Sequence, residues 1–425
     1  MRKTSRTTLA LLLAGGTLAS AAACSSSASS AAKSGTSGTT GASGGGGGSA
    51  SYTFWDPYPQ FDGSSDWGKR VAACGTQAGV TVKRTSLDTS DVANKTLLAA
   101  QQGDSPDVIL VDNPVVSTLA EAGVLNKNSD LGLDDSAIQK NIIGAGVVDG
   151  AAYGVPIGAN TLALYYNQNV LKAAGVDPTT VKDWASLTAA LQKVKAAGKK
   201  GITFSAIGTE EGSFQFLPWF WGAGGDLKAL NNANGVAAVT LWKDWVAKGL
   251  APNDVLQNTQ TTSWQEFATG DYAFGENGTW QLANAAKAGF PYGIINIPGK
   301  DGGSAPAPTG GEFVTIPVQK DKSRYDTDKK IVNCLINPAN LLATDTTLSY
   351  VAPIADVQTQ QVAASAPLKP WVDAVAAAKG RTSGGLGVKY PVISQQLWTA
   401  VQAALSGGKS PQSALDAAQQ AAQKG

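Results

Sequence analysis

Short apolar runs that end in Asp or Asn alternate along this chain with stretches whose apolar residues fall three and four positions apart. Residues 52–55 form the first run, closed by Asp56-Pro57, which predicts a strand and then a turn. Helical patterning covers residues 67–78 and stops at Gly79. Residues 80–84 read as a second strand, and residues 92–102 as a helix stopped by Gly103. Residues 107–111, Asp-Val-Ile-Leu-Val, read as a short buried strand ended by Asp112-Asn113-Pro114, with a helix over 114–122. This βαβα rhythm predicts a parallel or mixed sheet with helices on both faces, whose ligand crevice lies beyond the strands' carboxyl ends. Trp55, Asp56, Asp112 and Asn113 stand at such ends. Asp or Asn before Pro also serves to start a turn, so for Asp56 and Asp112-Asn113 the two roles stay open.

The rhythm then repeats with other residues. A strand is expected over 162–166. Trp184, Leu187, Leu191 and Val194 lie on one helical face, ended by Gly198. Further strands are expected over 201–206, 272–276, 292–297 and 313–318. Helices are expected over 236–248, 392–405 and 411–423, the last with Ser410 as N-cap and Pro411 in its first turn. Pro218-Trp219-Phe220-Trp221-Gly222 reads as a Gly- and Pro-bounded loop, where a ring left on the surface would need something to cover it.

The N-terminus follows different rules. Arg2, Lys3 and Arg6 precede an apolar stretch over 9–18, too short to span a bilayer, then small residues 19–23 and Cys24. This is the pattern of a secretory signal, residues 1–23, and the Cys directly after it resembles a bacterial lipobox, although Ala21 stands where Leu is usual; ordinary cleavage between Ala23 and Cys24, leaving a free thiol, is the alternative. Residues 25–51 contain only Ser, Ala, Gly and Thr apart from Lys33, with nothing to bury, so residues 24–51 are expected to be a disordered tether with a lipidated Cys24. Cys74 and Cys334 remain. Outside the cytoplasm they are expected to form a disulfide; two buried free thiols in separate helices are the alternative.

Composition narrows the chemistry. A chain of 425 residues allows two to three domains with a substantial core. Its net charge of +1 argues against a nucleic-acid partner. With no His and three Cys, it lacks His-based triads, His metal sites and a four-Cys zinc site, so no metal and no cofactor are expected. The 11 Trp are the one excess, and flat aromatic surfaces suit the weakly apolar faces of a sugar.

Several segments resemble, in order, the bacterial extracellular solute-binding proteins of family 1, the ABC sugar-importer receptors similar to maltose-binding protein. They are Gly103-Asp104-Ser105-Pro106-Asp107-Val108, Tyr153-Gly154-Val155-Pro156, Leu164-Tyr165-Tyr166-Asn167, Phe267-Ala268-Thr269-Gly270-Asp271-Tyr272-Ala273, Asn277-Gly278-Thr279-Trp280, Gly310-Gly311 and the tail from Ser406 to Leu415. The resemblance implies an α/β, two-lobed periplasmic-binding-protein type II fold (a Venus flytrap), each lobe a mixed sheet flanked by helices. Three hinge crossings are expected near 158–160, near Phe313 and near 351–355. The N-terminal lobe would comprise 52–159 plus 314–354, and the C-terminal lobe 160–313 plus 355–425.

The resemblance also implies a receptor rather than an enzyme: a lipid-anchored, exported, monomeric substrate-binding component. It would capture a mono- or oligosaccharide between the lobes and deliver it to the transmembrane subunits of an ABC permease, touching the membrane only through its anchor. Trp280, at a strand-to-helix turn, matches the family's ligand-stacking Trp, an interfacial core residue being the alternative. Trp398 falls at another stacking position, though its spacing with Leu397, Val401 and Leu405 also fits a core residue. Trp219 or Trp221 is expected in the cleft. Asn160 at the first crossing, Glu312 at the second, and Arg381 in a Gly- and Ser-rich loop are the polar candidates, a solvated charge being the alternative for Arg381. The same fold with a non-sugar solute is one rival. A secreted carbohydrate-active hydrolase is another, and no pair of acids at a set spacing supports it. Tyr165-Tyr166 does not make a ferric site, because successive strand residues face opposite ways.

Overall fold

A computed structural model of the protein describes residues 51–424. The leader 1–23, Cys24 and the rest of the tether up to residue 50 lie outside the described residues. Ser51, read above as the end of the tether, is already paired in the first strand, opposite Thr81.

Two separate sheets organise the chain. In the first, the strands run in the order Thr81–Ser86, Ser51–Asp56, Val108–Asp112, Glu312–Thr315 and Val155–Pro156. The first three are mutually parallel, as βαβ connections require, and Glu312–Thr315 runs antiparallel to both of its neighbours. In the second, the order is Tyr292–Ile295, Leu162–Asn167, Tyr272–Gly278 and Lys200–Thr203. Only the last pair is parallel.

Each sheet is covered on both faces. One face of the first sheet packs Phe54, Val108, Leu110 and Val314 against Trp67, Val71, Ile331 and Leu335. Its other face packs Ile109, Val111 and Phe313 against Val92, Val116 and Leu119. Strand alternation produces this sorting: neighbours in Val108–Asp112 divide between the two clusters. In the second sheet, Leu162 and Leu164 join the core of the helices Trp184–Ala196, Glu210–Gly222, Ala233–Ala247 and Lys389–Leu405. Ala163 and Tyr165 face Trp264, Phe267 and Trp371 instead. Tyr165 is therefore a core residue, its hydroxyl donating to the carbonyl of Gly278 at 2.8 Å.

Three strands of chain lie side by side where the sheets meet. Ala159 and Val351 exchange backbone hydrogen bonds of 2.8 Å each, and Asn160 and Gly310 exchange bonds of 3.1 and 2.8 Å. Glu312 and Phe313 already pair within the first sheet, opposite Asp112 and Val111, so the second crossing precedes Phe313. Gly311 there takes φ 111°, a conformation only Gly adopts without strain, and a Cβ on it would strike the carbonyl of Gly158.

Cys74 and Cys334 are joined, with Cα atoms 5.5 Å apart, and link the helices Asp66–Gln77 and Tyr325–Leu335 beneath the first sheet. Helices that the sequence pattern did not announce fill the stretch from Tyr325 to Ala376: Tyr325–Leu335, Pro338–Leu348, Ala355–Ala364 and Lys369–Ala376. Residues 218–222 are not a loop. They complete the helix Glu210–Gly222, with Pro218 inside it. Every side from Gly212 to Trp221 is buried, and packing all round holds the helix despite the proline's missing donor. No helix among the described residues is long and apolar enough to cross a membrane.

Candidate functional site

The strand Tyr272–Gly278 runs into a tight 3-10 turn, Thr279–Gln281, that carries Trp280. Trp280 is half-buried and packs against the cores of both sheets, which places it at the seam between the lobes. A side chain at Gly278 would run into the Trp280 ring, so Gly278 makes room for the indole. Phe214, on the second turn of Glu210–Gly222, lies 6.3 Å from Trp280 between ring centroids. A side chain at Gly310 would strike both Phe214 and Asn160 Oδ1, so Asn160, Gly310, Phe214 and Trp280 form one patch at the crossings.

Arg381 completes the patch. Its guanidinium stands 4.9 Å from the Phe214 ring and is almost wholly buried. Nη1 donates to Glu210 Oε1 at 2.8 Å, and Nη2 donates to Asp112 Oδ1 at 2.8 Å and Asn113 Oδ1 at 3.0 Å. Burial disfavours its charge, but the Asp112 and Glu210 carboxylates outweigh that and hold it protonated above the usual arginine range. Glu210 also accepts from Tyr390 at 2.6 Å and from Ser394. Asp112 caps the helix Asn113–Glu121, accepting from the Asn113 backbone at 2.9 Å, so its turn role and its site role coexist. Asn113 Nδ2 donates to the Thr309 carbonyl at 2.8 Å, tying the patch to the second crossing.

Glu312 lies beside this group, buried. Tyr58 donates to its Oε2 at 2.7 Å and Tyr350 reaches its Oε1 at 3.4 Å. Burial, and then the charge of Asp112, push its pKa up to about 7 against the pull of the two hydroxyls and Arg381.

Thus Trp280, Asp112, Asn113, Asn160, Glu312 and Arg381 come together. Five other candidates do not. Asp56 is fully buried and spends its oxygens on Arg84, on Trp67 Nε1 at 3.2 Å and on the Tyr58 backbone at 3.1 Å. Trp55 packs into the outer cluster around Val92 and Ile109. Trp219 is wholly buried among Trp184, Trp242 and Trp245, with Nε1 donating to Glu276 Oε2 at 2.8 Å. Trp221 is buried with Lys379 over its ring. The helix in place of a loop is the reason: it turns both indoles into the core of the second lobe. Trp398 is half-buried beside Gly208. Phe214, Glu210, Tyr58, Tyr350, Tyr390 and Ser394 are site residues that the sequence pattern does not reveal; Glu210 opens a helix the pattern does not announce, next to a second acid, Glu211.

Residues 69–370, well over half the chain, match the model of the bacterial extracellular solute-binding protein family. The maltodextrin-binding protein MdxE of Bacillus subtilis is 28% identical over 260 residues, covering 55% of this chain and 57% of that protein. The chain thus spans a little over half the length of this curated relative. The sn-glycerol-3-phosphate-binding periplasmic protein UgpB of Salmonella typhimurium is 24% identical over 364 residues, covering 76% of this chain and 80% of that one. The GacH receptor of Streptomyces glaucescens, solved unliganded and with acarbose, superposes with a TM-score of 0.73 at 25% identity, covering 88% of this chain and 98% of that one. Two covered sheets joined by three adjacent crossings are what such a match requires, and the chain belongs to the family of bacterial extracellular solute-binding proteins, whose members bind a solute rather than transform it.

Proposed function

We propose that this protein is the substrate-binding component of an ABC importer, exported and lipid-anchored through Cys24, and that it captures a carbohydrate between its lobes for delivery to the permease. The observation that carries the carbohydrate reading is Trp280, packed against both cores at the seam with Phe214 beside it. An aromatic face there gives a pyranose an apolar wall that closure removes from water. The surrounding polar groups suit a neutral ligand. Arg381 is matched by two carboxylates, Asp112 and Glu210, with Glu312 close by, so the patch offers no net positive charge to a phosphate. Arg381 Nε, buried and without a partner among the described residues, is a donor left for a ligand hydroxyl. Asp112 and Glu210 are both engaged by Arg381, an arrangement unsuited to the acid and base of a hydrolase.

A thermal-shift series on the whole protein with glucose, maltose, maltotriose and sn-glycerol-3-phosphate tests this. A ligand at 100 times its Kd adds roughly 2.7 kcal/mol of stability. A sugar is expected to raise the melting temperature. A rise with the phosphoester alone would overturn the carbohydrate reading. For the anchor, Cys24→Ala is expected to release the protein into the medium, and retention in the membrane fraction would count against it.

A further inference from the structure

Two adjacent side chains reach from one lobe into the other. Arg381 and Thr382 lie between the helices Lys369–Ala376 and Lys389–Leu405, both packed in cores of the second sheet. From there Arg381 bonds Asp112 and Asn113, at the carboxyl end of a strand in the first sheet. Thr382 Oγ1 donates to the carbonyl of Ala145 at 3.3 Å, again on the first-sheet side. On its own side Arg381 is held by Glu210, itself gripped by Tyr390 and Ser394. Lys379–Gly380, just before it, pairs with Pro308–Thr309 at the second crossing. Gly384 and Gly385, at φ 69° and 75°, turn the loop back immediately after it.

The geometry points to Arg381 as an interlobe clasp. Its rigid fork spends one end on each lobe, and both ends are satisfied by protein groups alone. The closed arrangement therefore carries a bond of its own, and does not depend on the ligand to bridge the lobes. Opening the seam pulls Asp112 and Asn113 away while Arg381 travels with Glu210. Because the fork is buried, that step separates a charged hydrogen-bonded pair in a low-dielectric setting, which is costly. Solute then enters through the minority of molecules whose clasp is undone, and the strength of the clasp scales the apparent affinity by that fraction. The clasp makes Arg381 a positioning residue for closure, and it rests on the receptor reading only for the word solute.

The test uses the full chain without any sugar. Small-angle scattering compares wild type with Arg381→Met, which keeps volume but removes the fork, and with Arg381→Lys, which restores a charge to Asp112. Arg381→Met is expected to increase the radius of gyration as the open fraction rises about tenfold or more, and Arg381→Lys to recover part of the difference. Asp112→Asn leaves the Glu210 side of the fork intact and is expected to widen the molecule in the same direction. Unchanged scattering in Arg381→Met and Asp112→Asn, with native melting behaviour, would overturn the clasp. So would failure of both variants to fold, which would make Arg381 a residue of the core. No sugar enters the measurement, so its outcome is separate from that of the thermal-shift series.

Discussion

The Tyr58 hydroxyl donates to Glu312 Oε2 across 2.7 Å, joining the turn after the first strand to the chain as it returns through the second crossing. Glu312 titrates at about 7 there instead of near 4.5. A carboxyl raised in the folded state binds its proton more tightly when folded. Its contribution is therefore fully present below about pH 4.5, is lost as pH rises toward 7, and is gone above that. We expect wild-type stability to fall by about 3 kcal/mol across this window from Glu312 alone. Glu312→Gln should flatten that part of the profile. Chemical denaturation at pH 5 and pH 8 measures it, and parallel profiles for the two proteins would reject the assignment.

Trp280→Ala should weaken sugar binding by nearly two decades. Roughly 100 Å² of ring buried against a sugar contributes about 2.5 kcal/mol, and each 1.4 kcal/mol is tenfold. Because Trp280 is only half-buried, the melting temperature of the sugar-free protein should change little. Calorimetric titration and a melting curve on the same sample check both. Retained affinity with a large loss of stability would make Trp280 structural.

Trp219 should behave in the opposite way. Trp219→Phe keeps most of the ring but removes the N–H that satisfies Glu276 Oε2, and among the described residues Glu276 has no partner on its other oxygen. The expected loss is about 1–3 kcal/mol of stability, read by urea unfolding. Affinity per folded molecule should stay at the wild-type value, and its collapse would return Trp219 to the cleft.

Asp56→Ala strands Arg84, which bonds Asp56 through Nε and, at 2.7 Å, through Nη2. Breaking a buried ion pair from one side costs about 3–5 kcal/mol. The variant should lose that much stability while the remaining folded protein binds sugar normally. A selective loss of binding would show that Asp56 meets the ligand.

Strand ends were the legible part of the site. Asp112 and Asn113 stand at the end of a buried five-residue strand that the pattern shows, observed as Val108–Asp112, while their turn and site roles stay open in the sequence. Gly310-Gly311 enters only as part of the family resemblance, which places a crossing near Phe313; the positive φ of Gly311 is seen in the structure alone. Trp219 was misread for a local reason: Pro218 and Gly222 are strong breakers in isolation, and only burial on every side keeps that segment helical. Tyr58, Tyr350 and Tyr390 left no signal, because each owes its role to one acceptor more than thirty residues away, Glu312 or Glu210. Asp56 shows a further limit. Position at a strand's end was read correctly, but its partner Arg84 lies on the next strand, and pairing of that kind is decided by register.

The Cys74–Cys334 bond has a consequence for the chain as a covalent object. The 260 residues it spans include the whole of the second sheet, yet both sulfurs sit beneath the first. One lobe is thus assembled from two pieces of chain that the sulfurs stitch into a ring, and the strands of the other are an excursion within that ring. A protease that cuts once anywhere on the excursion opens the ring and leaves a single molecule of unchanged mass, apart from one added water, until a reductant separates the halves. For a protein working outside the cytoplasm, where the bond is not readily reduced, a nick need not mean release of a fragment.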